Sequence, residues 1–194
     1  VGAPVPEWRS RKLYRSMSGG KTEAKIILTM LKATRASSLL DFGCGLGRIA
    51  PAVVSRVAAY AGVDSSKWAI DLARRRLRGT KAVFRTTDDN LIPFEDNSFD
   101  AAFAWQVFVH LERADLLDTL RELFRVLKPG GRLMFTLENL QISFAAWINH
   151  QAKNLGPWKV RRRYEPRVES EVRILLQEAG FDRIRVDGKR YLCS

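Results

Sequence analysis

Three glycines at alternate positions, Gly43, Gly45 and Gly47, follow an apolar run that ends in Asp41-Phe42. Glycine at every second position removes Cβ atoms that would hold a ligand off the backbone, and it permits the positive φ values of a sharp strand-to-helix reversal. The N–H groups that open the next helix then face the ligand. A dinucleotide fingerprint G-x-G-x-x-G counted from Gly43 requires glycine at position 48, where this chain has Arg48. Asp41 is ill suited to a neighbouring pyrophosphate and well suited to a ligand that carries an ammonium group. Asp64 follows the second apolar run and is able to accept hydrogen bonds from both hydroxyls of a ribose; it is equally the kind of acid that a helix N-terminus favours. His110 is the one histidine near this predicted site, and imidazole titrates in the range of a useful general base.

Further along, Asp88-Asp89-Asn90-Leu91-Ile92-Pro93-Phe94 runs into Asp96-Asn97-Ser98-Phe99-Asp100, and Arg125-Val126-Leu127-Lys128-Pro129-Gly130-Gly131 follows. With Asp41-Phe42-Gly43-Cys44-Gly45-Leu46-Gly47, these motifs resemble, in the same order, those of class I S-adenosylmethionine-dependent methyltransferases. The resemblance extends from Leu39 to Leu137, with a weaker echo at Leu175–Phe181. It implies S-adenosyl-L-methionine as cofactor, held at Asp41, Gly43, Cys44, Gly45 and Gly47, with Asp64 and Ser65 at the ribose. It further implies that Asp88 accepts from the adenine amine, that the backbone around Asp89 touches the ring, and that Trp68 lies against adenine unless it serves only helix packing. Trp105 and Gln106 then touch the methionine half. A sulfonium methyl needs mainly an aligned nucleophile and the exclusion of water. A hydroxyl nucleophile also needs a base, which makes His110 the catalytic candidate, although the family often carries a histidine here for structural reasons.

These residues must be positioned by alternating helices and strands. Ala24, Ile27, Leu28 and Leu31 share one face of a helix predicted over Lys21–Lys32. Strands are expected at Ser38–Phe42, Ala61–Asp64, Ala82–Phe84, Phe99–Trp105 and Arg132–Leu137. Helices are expected from Gly47 to about Ala59 with Pro51 in the first turn, over Lys67–Leu77, and over Arg113–Leu127. Lys128–Gly131 reads as a turn. A helix over Glu169–Ala179, stopped by Gly180, precedes a hairpin of Asp182–Val186 and Arg190–Cys193. Continuous apolarity in the strands means burial on both faces, so the fold class is α/β: a doubly wound, mostly parallel, seven-stranded Rossmann-like sheet with helices on both faces, closed by the family's antiparallel hairpin.

With 46% hydrophobic residues in 194, the chain supports one compact domain with a full core. Residues 1–37 are expected to form a cap and first helix, and residues 38–194 a cofactor-binding core with a substrate-side insert at 138–168. That insert interrupts the alternation with Trp147, His150, Trp158, Arg161, Arg162, Arg163 and Tyr164; Tyr14 of the N-terminal segment is a further substrate-side candidate, expected to close the opposite side of the site. Such aromatics and arginines suit an anionic small molecule, or a stacked base with phosphates. No named RNA-binding module is recognisable, so methyl transfer to an oxygen or nitrogen of a small, anionic molecule is the leading expectation. An RNA methyltransferase that uses the basic N-terminus and residues 159–167, and a non-catalytic cofactor-binding protein, are the alternatives. A formal charge of +12 fits an acidic substrate, a nucleic acid or simply a solvated surface. Two cysteines and two histidines form no metal pattern, and without an apolar run of membrane length the expected location is cytoplasmic.

Overall fold

The computed structural model describes residues 20–87, 91–137 and 168–194. Seven strands form one sheet in the order β3-β2-β1-β4-β5-β7-β6. They are β1 (Ser38–Phe42), β2 (Ala59–Asp64), β3 (Ala82–Thr86), β4 (Phe99–Ala104), β5 (Leu127–Thr136), β6 (Arg185–Asp187) and β7 (Arg190–Cys193). The first five are parallel, and β7 runs antiparallel to both β5 and β6. Asp187 pairs with Arg190 across a two-residue turn in which Gly188 alone takes a positive φ, as a type II′ hairpin requires.

Helices cover both faces. On one lie α1 (Lys21–Leu31), α2 (Ala50–Val53) and α3 (Lys67–Arg76), packed over Leu39, Tyr60, Phe84, Phe103 and Met134. On the other lie α4 (Arg113–Val126) and α5 (Glu169–Glu178), over Leu40, Val63, Ala102, Leu133 and Phe135. The alternation of Leu39 with Leu40 and of Met134 with Phe135 shows why these strands read as unbroken apolar runs: both faces are core.

Several expected elements differ. The helix after Gly47 ends at Val53 rather than near Ala59, and the chain tightens through an Arg56 N–H to Val53 carbonyl bond. It must already be extended at Ala58 and Ala59, whose N–H groups both donate to the Ser37 carbonyl, so β2 begins two residues early. Lys128–Gly131 is not a separate turn but a bulged stretch within β5. Phe99 pairs with Leu127 and Ala101 with Arg132, so the intervening residues loop out of register, with Gly130 at φ 75°. The final hairpin's first strand starts at Arg185, though Asp182 still exchanges backbone hydrogen bonds with Ser194.

The motif residues near the amino ends of β4 and β5 work as clamps. Asp100 accepts from the Ser38 backbone N–H at 2.7 Å, from the Ser38 hydroxyl at 2.8 Å and from Lys128 Nζ at 2.8 Å, which locks the starts of β1, β4 and β5 together. Arg125 donates to the carbonyls of Ile92 and Phe94 and pairs with Glu122 and Asp96, fixing the Leu-Ile-Pro-Phe loop on α4. At the other end, the Leu137 N–H donates to the Lys189 carbonyl at 2.9 Å, and the Val172 N–H donates to the Val168 carbonyl. The chain that leaves β5 and the chain that enters α5 are thereby both anchored.

Candidate active site

In a doubly wound sheet the strand order reverses at one place, and ligands bind there, beyond the carboxyl ends of the strands. Here the reversal lies between β1 and β4. The glycine turn leaves β1 on one side of it, and residues 105–110 leave β4 on the other.

The three glycines have three different reasons. A Cβ on Gly43 would stand 2.3 Å from Val107 Cγ2, so this glycine lets the segment after β4 approach the turn. One on Gly47 would lie 3.0 Å from Leu77 Cδ1 and 3.3 Å from Ala73 Cβ, so this one seats α3. Only at Gly45, with φ 52°, would a Cβ enter open space, with nothing within 4 Å. Packing thus requires Gly43 and Gly47, whereas Gly45 is the one of the three whose backbone is left open to an approaching group. Cys44 between them is buried; burial, with Asp41 and Asp64 nearby, raises its thiol far above its ordinary range and makes it a packing group rather than a nucleophile.

Asp64 stands at the end of β2 with its carboxylate turned to the glycine turn. One oxygen accepts from the Gly45 N–H at 2.9 Å and the other from the Ser66 N–H at 2.9 Å, which joins the turn to the start of α3. Each oxygen retains a lone pair for a further donor. Of the two serines here, Ser66 caps α3 by accepting from the Ala69 N–H, and Ser65 is exposed. Trp68, in the first turn of α3, is 36% exposed, a large apolar side chain only partly covered.

Asp41 is placed differently from a simple surface ligand. It is 2% exposed and accepts a short hydrogen bond from the Tyr60 hydroxyl. Burial raises its pKa from 3.8 to about 7; the Tyr60 bond opposes that shift, Asp64 adds to it, and Arg48 opposes it. A carboxyl in this state is poised between neutral and charged forms at physiological pH.

Across the switch point, Trp105 is half-buried and Gln106 is exposed with φ 59°. A positive φ on a residue other than glycine is costly, and such strain gathers at functional sites. It is held by the Gln106 N–H donating to Thr136 Oγ1 at 2.7 Å. His110 ends the short 3-10 helix Phe108–His110 and is exposed, its N–H donating to the Val107 carbonyl. Asp88 and Asp89 lie outside the described residues, as do Tyr14, Trp147, His150, Trp158, Arg161, Arg162, Arg163 and Tyr164. Among the described residues no cluster of metal-ligating side chains exists, and no helix is long and apolar enough to cross a membrane.

Several organising residues escaped the sequence reading. Arg48 counted only as a missing glycine, yet it pairs with Glu23 at 2.6 Å, both side chains largely buried. A Cβ on Gly20 would sit 2.7 Å from the Arg48 carbonyl, so α1 begins hard against the end of the glycine turn. Tyr60 and Thr136, the partners of Asp41 and Gln106, are ordinary strand residues by type, and only the register brings them to the site.

Residues 40–135 match the family model described as a methyltransferase domain. Phosphoethanolamine N-methyltransferase 2 of Caenorhabditis elegans is 24% identical over 191 residues, which cover 96% of this chain and 42% of that protein. Methyltransferase GfsG of Streptomyces halstedii is 30% identical over 119 residues, covering 59% of this chain and 42% of that one. The crystal structure of an S-adenosylmethionine-dependent methyltransferase from Methanosarcina mazei superposes with a TM-score of 0.66 at 24% identity, over 87% of this chain and 94% of that one, and so shares the fold. Fold, glycine turn and family model agree: the chain belongs to the class I S-adenosylmethionine-dependent methyltransferases. S-adenosyl-L-methionine is the cofactor of that family. The chain spans less than half the length of the two curated relatives.

Proposed function

We propose that this protein transfers the methyl group of S-adenosylmethionine to an oxygen or nitrogen atom of a small, anionic molecule. The carrying observation is the open side of Gly45 beside the Asp64 carboxylate at the switch point of the sheet. A nucleoside fits there: the turn admits close approach, and Asp64 offers lone pairs to vicinal hydroxyls. Asp41, poised between charge states behind the turn, offers a counter-charge for an ammonium group.

The bound cofactor supplies a methyl on sulfonium sulfur, an electrophile that needs no further activation. This chain's residues then have to hold the acceptor in line and keep water out, which accounts for several kcal/mol. Trp105 and Gln106, on the strained segment after β4, border the reacting end in this reading. His110, on the same connection, would take the proton of a hydroxyl acceptor. Trp68 would cover adenine, with Asp88 and Asp89 at its polar edge. The domain reading also stands as a proposal: residues 1–37 as cap, 38–194 as core, and 138–168 as the wall that selects the substrate.

The anionic acceptor is supported by the arginines of residues 161–163 and by the relative named for phosphoethanolamine, a small phosphorylated amine. Calorimetry should find micromolar binding of S-adenosylmethionine or its demethylated product and none of NAD. Incubation of cell extract with isotopically labelled methyl donor should place label in the small-molecule fraction. Replacing Arg161, Arg162 and Arg163 together with alanine should raise the apparent KM for the acceptor and leave cofactor affinity unchanged. Label found in RNA, with RNA binding lost in that triple variant, would replace this reading with the RNA methyltransferase.

A further inference from the structure

Among the described residues, the excess of positive charge lies on one face of the sheet. Residues 20–37, 48–58 and 65–81, which form α1–α3 and their connections, contain twelve lysines and arginines against two acids, Glu23 and Asp71. Both acids are consumed locally, Glu23 by Arg48 and Asp71 by Lys67 and Arg74. On the opposite face, residues 112–126 and 168–183 hold five cations against eight acids. A surface that merely kept the protein soluble would not need its two faces to differ in sign.

Topology concentrates the excess further. Arg35 precedes β1, Arg56 precedes β2, and Arg78 with Lys81 precedes β3, while Lys32 and Arg75 lie at the matching ends of α1 and α3. The three strands are parallel neighbours, so these connections line up along the amino-terminal edge of the sheet in a row roughly 10 Å long. Lys32, Arg35, Arg56, Arg75 and Arg78 are exposed and make no ion pair among the described residues; Lys81 donates only to the Val57 carbonyl. Arg74–Arg76 gain something from the C-terminal dipole of α3, but Arg35 and Arg56 sit in connections where no helix end accounts for them.

We propose that this basic edge is a docking surface for the phosphodiester backbone of a nucleic acid. Arginine makes up seven of the twelve cations, and its planar fork pairs with phosphate oxygens two at a time. Among the described residues, the large apolar side chains exposed near this edge are Trp68, at the other end of α3, and Val83 of edge strand β3; one valine beside the cations is not the cluster of apolar anchors with which a protein enters a lipid interface. The row lies at the opposite end of the strands from the glycine turn, on the order of 17–20 Å away. A nucleic acid held there tethers the protein and leaves the reaction end free, so this inference does not depend on the acceptor proposed above.

The test uses a fluorescein-labelled mixed-sequence RNA 20-mer and, separately, a labelled DNA duplex, with binding followed by anisotropy between 50 and 300 mM salt. Wild-type protein should bind with a steep salt dependence. Arg35→Ala, Arg56→Ala, Arg75→Ala and Arg78→Ala combined should bind more than tenfold more weakly at 100 mM salt and flatten the log–log slope by about three units. The alanine triple of Arg161, Arg162 and Arg163 should retain binding, and calorimetric affinity for S-adenosylhomocysteine should be unchanged in both variants. An unchanged slope in the quadruple variant overturns the proposal. So does wild-type protein that ignores both probes at 50 mM salt, including the case in which it instead sediments with phosphatidylserine vesicles.

Discussion

Replacing Asp41 with asparagine separates what this carboxyl does for the fold from what it does for the ligand. The native carboxyl keeps its proton up to about pH 7, whereas the unfolded chain releases it near 3.8. Between those values the folded state binds more protons, so stability falls as pH rises and the whole loss is present above pH 7. Each pH decade of difference corresponds to 1.36 kcal/mol, so the full penalty is about 4 kcal/mol, of which about 3 kcal/mol accrues between pH 5 and pH 8. Asparagine carries no charge to desolvate and its carbonyl still accepts from Tyr60. Asp41→Asn should therefore gain about 3 kcal/mol on wild type when urea unfolding at pH 8 is compared with pH 5. Cofactor affinity should move the other way. If the ionised carboxyl faces an ammonium group, wild-type affinity rises as pH passes through 7, and the asparagine variant binds more weakly with no such rise. A constant stability difference between the two proteins from pH 5 to pH 8 would falsify the buried, late-ionising state of Asp41.

Gly45→Val should abolish cofactor binding by calorimetry while the protein still melts cooperatively, because the new side chain enters the open side of the turn; normal binding would show that the ligand lies elsewhere. Asp64→Ala should weaken the cofactor by about 1.5 to 3 kcal/mol through lost hydrogen bonds, and an unchanged dissociation constant would leave Asp64 as a tie between the turn and α3. Gly43→Ala should instead cost stability, about 3 kcal/mol from overpacking against Val107 and a strained φ, and Val107→Ala in the same chain should recover part of it; no recovery would mean the clash is not with that side chain.

Where one property dominates, the sequence was sufficient. Ser38–Phe42 was bounded correctly because its apolar run stops at glycine, and α3 was placed to within one residue by its serine caps and the spacing of Ala69, Leu72, Ala73 and Leu77, although Ile70 and not Leu72 is the fully buried side chain. The bulge at Lys128–Gly131 was not legible, since two glycines after a proline look the same whether they end a strand or loop out of one. Nor were the partners that set the chemistry. Asp41 was recognisable by type, but its poised state comes from burial in the folded core, partly offset by the bond from Tyr60, nineteen positions away and brought close by the pairing of β1 with β2. The strain at Gln106 had no signal at all, because nothing in Ala-Trp-Gln-Val demands a left-handed residue; the bond to Thr136 imposes it. Asp100, Arg125 and Lys128, among the residues that make the family recognisable, turn out to hold the scaffold rather than touch the ligand end.

The anchored exits at Leu137 and Val168 separate the cost of changing the crossover between them from the cost of folding the core. Both ends are fixed by backbone bonds that do not depend on which residues lie between, so a replacement segment has only to close a loop whose mouth is already set. Closure entropy rises with the logarithm of length, and doubling such a segment costs only about 0.6 kcal/mol. A scaffold stable by 5–15 kcal/mol absorbs that readily. If residues 138–167 form the substrate wall proposed above, a library confined to them should change acceptor choice while Asp100, Arg125 and the glycine turn are left as they are.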